Sequence, residues 1–438
     1  MQTEWVIQNP QAKNPLRIPL TVDCNTSKET ILANVLENSR NVKKWVKTLP
    51  AHDRVAVIVG GGPSLADTLS EIVTVGGDIF ALNGAAKYLN NHGIEADYQV
   101  IMDARPETVG LIGPAKNYLF ASQVDPECFR QKDATLWHST YGSVLPDEQD
   151  GFPVHHDEYA LIGASISVGN TALVLLYALG YRTIHVFGMD SSHAEGNSHA
   201  YPQPMNDGDP CTIVEYNGKR FVCSVTMSLQ AKNFILRACE LGDVSIKVHG
   251  YGLLPEMFNH PLSEEEKYRQ MWKRDEYRAF SPGEETVPKF LKLVDVRGRS
   301  LIDFGCGTGR AGAALAKAGA FVVLVDFTDN SRDETSLPFE KHDLTQPLKR
   351  VADYGYCTDV MEHIPTEDVS LVINNIMRSA VTVFFQISTV PDSMGELIGQ
   401  PLHLTVKPHE WWRDAFRRYH VEWEESQSHC SAFLVSRT

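Results

Sequence analysis

The sequence predicts an α/β protein of two Rossmann-like, doubly wound domains joined by a helical linker, and three features carry that expectation. Val55-Ala56-Val57-Ile58-Val59 is a continuous apolar run that ends in Gly60-Gly61-Gly62-Pro63-Ser64-Leu65. A second run, Leu301-Ile302-Asp303-Phe304, ends in Gly305-Cys306-Gly307-Thr308-Gly309-Arg310. Each reads as a buried strand, a glycine-rich turn and a helix start. Between them the stretch from Ser263-Glu264-Glu265-Glu266-Lys267 through Arg278 is charged and helix-favouring, and Ser281-Pro282-Gly283 breaks it. The expected boundaries are a helical extension over residues 1–50, a first domain over 51–258, a linker over 259–298 and a second domain over 299–438.

In the extension, a helix is expected from Lys28 to Leu49, and from Val55 to about Val248 strand and helix patterns alternate. A chain of 438 residues with 43% hydrophobic side chains can fill more than one core. Its formal charge of -15, from 40 basic and 55 acidic residues, argues against gripping nucleic acid along its length, because phosphate binding depends on lysine and arginine. No apolar run approaches the roughly 20 residues of a membrane span, and the N-terminus MQTEWVIQNP lacks a charged-then-apolar signal. The eight cysteines contain no CxxC pair and read as reduced thiols. Together these features lead to the expectation of a cytoplasmic chain, with which a homo-oligomer is compatible.

In the second domain, Gly305, Gly307 and Gly309 let the backbone turn sharply and approach a ligand, which would lie on a helix N-terminus. The next strand, Phe321 to Val325, ends in Asp326, about 20 residues on, where a doubly wound fold presents an acid to ribose hydroxyls. The turn alone fits NAD, FAD or S-adenosylmethionine. Its spacing after Asp303 resembles motif I of the class I S-adenosylmethionine-dependent methyltransferases. His342-Asp343, the segment Asp359-Val360-Met361-Glu362-His363-Ile364-Pro365, the strand Val381 to Ile387 and HLTVKPHEWW from His403 to Trp412 resemble later signatures of that family, in order. The resemblance implies S-adenosylmethionine as cofactor, held by Asp303, Gly305, Gly307, Gly309, Asp326, Asp343 and Asp359, with Asp343 near the adenine amino group. His363, Glu362 and His403 are candidates near the cleft, to shape the pocket or take a proton. The second domain has neither an Asn/Asp-Pro-Pro-Tyr clasp nor a Pro-Cys nucleophile, so a small-molecule or sugar-like acceptor is favoured over a DNA base.

In the first domain, the glycine turn is shaped for an anion: Pro63 suits a first helical position and Ser64 can donate to a phosphate oxygen. Asn83-Gly84, Asp103-Ala104-Arg105-Pro106 and the stretch Gly188 to Tyr201 follow further strands, and in an open sheet such positions line the ligand crevice. GGGPSL, ALNGA, VIMDARP and YALGYRTIHVFGMD together resemble the family typified by archaeal 6-hydroxymethylpterin diphosphokinases, over roughly residues 30–255. They resemble more distantly flagellin-modifying glycosyltransferases and CMP-sialic acid-dependent sialyltransferases. The resemblance implies a nucleotide of ATP or CMP type on Gly61, Gly62, Pro63, Ser64 and Asn83.

For pyrophosphoryl transfer, Asp103 and Asp190 are the candidate Mg²⁺ ligands, Arg105 would stabilise phosphate charge and His193 or His199 would orient an oxygen. His193 and His199 stand where the sialyltransferases carry two phosphate-contacting tyrosines, and Val222-Cys223-Ser224 stands where they carry a histidine base. A thiol is a poor replacement for imidazole in that role. The expectation is a bifunctional enzyme, a pyrophosphokinase-like transferase fused to a methyltransferase acting on a small-molecule or carbohydrate acceptor. The alternatives are a nonulosonate-type glycosyltransferase in the first domain, or a first domain that only recognises a ligand.

Overall fold

The computed structural model describes residues 2–8, 16–22, 25–140, 161–163, 165–203, 205, 209–279, 281–329 and 335–437. The chain divides into two units, Met1–Pro261 and Leu262–Thr438.

The lead-in, expected to be helical, begins instead with an antiparallel hairpin of β1 (Gln2–Gln8) and β2 (Leu16–Val22). Its helix, Lys28–Asn41, starts where Ser27 accepts from the Thr30 N–H and stops eight residues before Leu49. β3 (His52–Val59), β4 (Asp78–Leu82), β5 (Tyr98–Ile101), β6 (Asn117–Ala121), β7 (Thr135–Thr140), β8 (Leu161–Gly163) and β9 (Tyr181–Phe187) follow. A separate hairpin, β10 (Cys211–Tyr216) with β11 (Lys219–Ser224), precedes β12 (Ser245–Val248). The main sheet runs β12-β9-β3-β4-β5-β6-β7-β8 and all its pairs are parallel. Ala56 to Val59 are wholly buried, as an all-apolar strand covered on both faces must be.

The second unit holds β13 (Ser300–Phe304), β14 (Phe321–Asp326), β15 (Phe339–Lys341), β16 (Ala352–Thr358), β17 (Ala380–Ser388), β18 (His420–Ser426) and β19 (Cys430–Ser436). Their order is β15-β14-β13-β16-β17-β19-β18, parallel except where β19 pairs with β17 and β18. Neighbouring residues along these strands feed opposite cores. Leu301, Leu324, Tyr356 and Phe384 pack with Val287, Phe290 and Leu315 on one face. Ile302, Val325, Cys357 and Phe385 pack with Ile373, Ile376, Trp412 and Phe416 on the other. This period-two alternation, buried on both sides, is what a doubly wound sheet requires.

The stretch expected as a linker differs from that reading. From Leu262 onward it belongs to the second unit. Helix Glu264–Met271, capped by Ser263, buries Tyr268 and Met271 against Ile398 and Leu402. Helix Pro282–Leu293 buries Val287 and Phe290 in the sheet's core. The charges gave these helices a solvated look, but their few large apolar side chains decide where they lie. Among the described residues no helix is long and apolar enough to cross a membrane.

Candidate functional sites

In the second unit three carboxylates stand at the carboxyl ends of adjacent parallel strands: Asp303 in β13, Asp326 ending β14 and Asp359 just past β16. The glycine turn lies among them. Gly305, Gly307 and Gly309 all have positive φ (67°, 54° and 79°), which an L side chain resists. Gly307 gives its N–H to Asp326 Oδ2 at 2.9 Å, while Asp326 Oδ1 accepts from Thr328 N and Oγ1, both at 2.9 Å. Burial holds Asp326 above the ordinary carboxylate range, against the pull of these bonds. It also pushes Asp303 and Asp359 up to about 7 each. Asp303 Oδ2 and Asp359 Oδ2 are buried without a hydrogen-bond partner. Asp359 itself has φ 53°, a strained conformation for a non-glycine residue at a strand end.

The helices from Glu264 to Ala279 bring aromatic rings to this place. A Cβ on Gly307 would lie 2.8 Å from the Trp272 ring, so the indole packs directly on the turn. Burial raises the Tyr277 hydroxyl, and so do the negative charges of Asp326, Asp392, Glu362 and Asp359, so its ring sits among the same acids. Sequence reasoning missed Trp272 and Tyr277. The signal available was two aromatic residues spaced along an otherwise charged helical stretch. Asp343, expected near adenine, is exposed just beyond β15, where its carboxylate accepts from Thr345 N at 2.8 Å. His363 lies past β16 beside Glu362 and His403, and burial with the nearby His403 pushes its imidazole down to about 4.

In the first unit the turn after β3 is turned inward. Gly60 N and Gly62 N donate to the carbonyls of Phe187 and Gly188. Ser64, expected to face a phosphate, gives both its N–H and its hydroxyl to Asp190, each at 2.6 Å. Pro63 is not the first helical residue, since the helix runs Leu65–Val75 with Ser64 at its N-cap. A Cβ on Gly61 would lie 2.5 Å from Tyr201 Oη, and one on Gly84 would lie 3.0 Å from the same ring. Tyr201 therefore lies over both glycine turns, and Ala200 N donates to Gly61 O. Asn83, with φ 48°, and Ser191, with φ 51°, mark the strained ends of β4 and β9.

Burial pushes Asp190 up to about 6. Asp103 is engaged elsewhere: Arg105 Nε and Nη2 clasp its carboxylate, the shortest contact at 2.6 Å, and Arg105 Nη1 reaches Met205 O. The two acids expected to share an ion thus serve different protein partners. His193 lines a cleft of about 350 Å³ with Ser192, Lys219, Tyr251, Glu256 and His260, and burial lowers its imidazole. His199 Nδ1 lies 2.9 Å from Ser198 Oγ. Cys223 is buried in β11, and Ser224 caps helix Val225–Glu240.

Comparison with known proteins follows this division. Residues 29–196 match the model of the 6-hydroxymethylpterin diphosphokinase MptE-like family, and residues 271–433 match a methyltransferase domain family. A ubiquinone biosynthesis O-methyltransferase of Hahella chejuensis (strain KCTC 2396) is 25% identical over 177 residues, covering 35% of this chain and 74% of that protein. Among solved structures, magnesium protoporphyrin IX methyltransferase from Synechocystis PCC 6803 with bound SAH aligns at 19% identity and TM-score 0.31, over 42% of this chain and 97% of that one. N-methyltransferase NodS from Bradyrhizobium japonicum WM9 with S-adenosyl-L-homocysteine aligns at 12% identity and TM-score 0.32, over 40% and 97%. The chain thus joins an N-terminal MptE-like domain to a C-terminal methyltransferase domain.

Proposed function

We propose that the second unit binds S-adenosylmethionine on the Gly305–Gly309 turn and transfers its methyl group to an oxygen of a small-molecule or sugar-like acceptor. The observation that carries this reading is the set of three carboxylates around the turn, two of them with a buried, unpartnered oxygen. Unpaired buried acids are costly, and a ligand that is cationic at one end and rich in hydroxyls relieves that cost. S-adenosylmethionine has that character: a sulfonium, an ammonium and two ribose hydroxyls. Asp326 would take the ribose, and the negative charge of Asp303 and Asp359 would favour the cationic end. Bound there, the cofactor supplies an electrophilic methyl, and the chain's own task is to align an acceptor beside it and exclude water, which Trp272 and Tyr277 suit. The named activity of the Hahella relative supports an oxygen acceptor.

For the first unit, the pairs Ser64–Asp190 and Arg105–Asp103 favour ligand recognition over magnesium-dependent pyrophosphoryl transfer. An acid already given to a protein donor is less available to a cation, and the Gly60 and Gly62 amides of the turn are spent on carbonyls. Titrating the full chain with ATP, GTP, CTP and CMP, with and without Mg²⁺, tests this. Binding without turnover supports recognition. Magnesium-dependent triphosphate turnover would support the pyrophosphokinase-like reading, and transfer from a CMP-sugar the glycosyltransferase one. For the second unit, equilibrium dialysis of labelled S-adenosylmethionine against NAD decides the ligand. Retention that S-adenosylhomocysteine displaces and NAD does not is the expected result.

A further inference from the structure

Beside the proposed cofactor cleft, Glu362, His363 and His403 bring one donor atom each to within 4.8 Å of one another. We infer that this cluster is a binding site for a divalent transition-metal ion of the Zn²⁺ type. The backbone builds it. Leu404 N and Thr405 N both donate to Glu362 O, at 2.7 and 2.9 Å, and so hold the segment carrying His403 against the turn carrying Glu362 and His363.

The hydrogen bonds around the donors give each ring the state a metal needs. His363 Nδ1 lies 2.9 Å from Leu402 O, and His403 Nδ1 lies 2.7 Å from Val390 O. A carbonyl oxygen can only accept, so each Nδ1 carries the proton and each Nε2 keeps its lone pair. Holding Nδ1–H on a backbone carbonyl is how proteins orient metal-ligating imidazoles. Tyr268 Oη, 2.6 Å from His363 Nδ1, adds a second contact on the same side of that ring.

Glu362 supplies an independent indication. It is wholly buried; its Oε1 accepts from Ser388 N at 2.8 Å, and its Oε2 has no hydrogen-bond partner. A buried carboxylate oxygen left without a donor points to a cation as its partner. Two imidazoles with one carboxylate suit Zn²⁺, Fe²⁺ or Ni²⁺, whereas Mg²⁺ and Ca²⁺ prefer all-oxygen sets. On a tetrahedral ion with bonds of about 2.0–2.2 Å the donors would stand a little over 3 Å apart, so a small rotation of the half-exposed His403 closes the set. Three protein ligands leave at least one coordination position open for an oxygen-bearing molecule.

The test uses the full chain, stripped with chelator and dialysed, then titrated calorimetrically with ZnCl₂ alone. One equivalent should bind, and His403→Ala and Glu362→Gln should each weaken binding by at least about 100-fold, a ligand loss costing no less than the loss of its supporting hydrogen bond. His403→Ala removes a half-exposed side chain, and its melting curve shows whether it folds as the parent does. Failure of the parent to take up Zn²⁺, or uptake unchanged in both folded variants, would overturn the proposal. A parallel S-adenosylhomocysteine titration separates the two claims, because loss of that affinity with Zn²⁺ uptake intact would count against the proposed function and not against the metal site.

Discussion

Ser64 gives its backbone N–H and its hydroxyl to the two oxygens of Asp190, each bond 2.6 Å long, and so ties the end of β9 to the turn after β3. Gly250 and Gly252 enclose the pair: a Cβ on Gly252 would lie 2.8 Å from Asp190 Cβ. Asp190 is thereby a structural centre of the first unit as well as a candidate site residue.

That burial sets a pH dependence. Asp190 is raised from 3.8 to about 6 by desolvation, so between those values the folded state holds a proton that the unfolded state has released. Its contribution is present below about pH 4 and is lost as pH rises to about 6, by roughly 3 kcal/mol at most. Asp190→Asn should flatten that part of the stability curve, measured by denaturant unfolding at pH 4, 5 and 6, although it also weakens the Ser64 bonds. A variant whose pH slope matches the parent's would show that Asp190 does not titrate in this way.

Gly61→Val places a branched side chain where Tyr201 Oη lies, 2.5 Å from the new Cβ. The ring must move or the strand must strain, at roughly 1–3 kcal/mol, and the first transition in a melting scan should fall by about 2–4 °C per kcal/mol. Nucleotide binding by the first unit should disappear with it. S-adenosylhomocysteine affinity should not change, because that site lies on the other unit's sheet.

Asp326→Asn should weaken S-adenosylmethionine binding by about 100-fold, since hydrogen bonds to a charged acceptor are worth roughly 1.5–3 kcal/mol each. The amide keeps the shape of the carboxylate but presents its nitrogen to either the Gly307 N–H or the Thr328 donors. Some loss of thermal stability should therefore accompany the loss of affinity. Unchanged affinity by calorimetry would remove Asp326 from the ligand site.

Gly312, in the helix after the turn, stands where a Cβ would collide with Leu324 and come within 2.9 Å of Asp303 Oδ2. Gly312→Ala should cost roughly 1–3 kcal/mol despite alanine's better helix propensity, because the helix cannot back away from β13 and β14 without opening the core. Chemical denaturation distinguishes the two effects, and a stabilised variant would contradict the packing account.

The parts of this architecture that are local in sequence were legible in it. The strand, turn and acid from Leu301 to Asp326 are set by residue types within one βα unit, and the structure keeps their order. The first unit's turn was legible as a turn but not in its use, because Tyr201, which lies on Gly61, comes from a loop about 140 residues further on. Asp103 and Arg105 are two residues apart, close enough in sequence to pair with each other, and that pairing replaces the separate ligand roles their residue types suggest. The helices from Glu264 to Leu293 read as a connector because charge dominates their composition, while Tyr268, Met271, Val287 and Phe290 determine their packing. The left-handed backbone of Asn83 and Asp359 has only a weak sequence signal, the tolerance of Asn and Asp for that conformation, and that of Ser191 has none.

Whether the glycine turn and the acids of β13, β14 and β16 form a cofactor pocket is decided by a crystal structure of the full chain with S-adenosylhomocysteine. The nucleoside should lie against Gly305–Gly309, with ribose oxygens about 2.6–3.0 Å from the Asp326 carboxylate. A ligand seated away from that turn, or a turn that takes up NAD in preference, would contradict it.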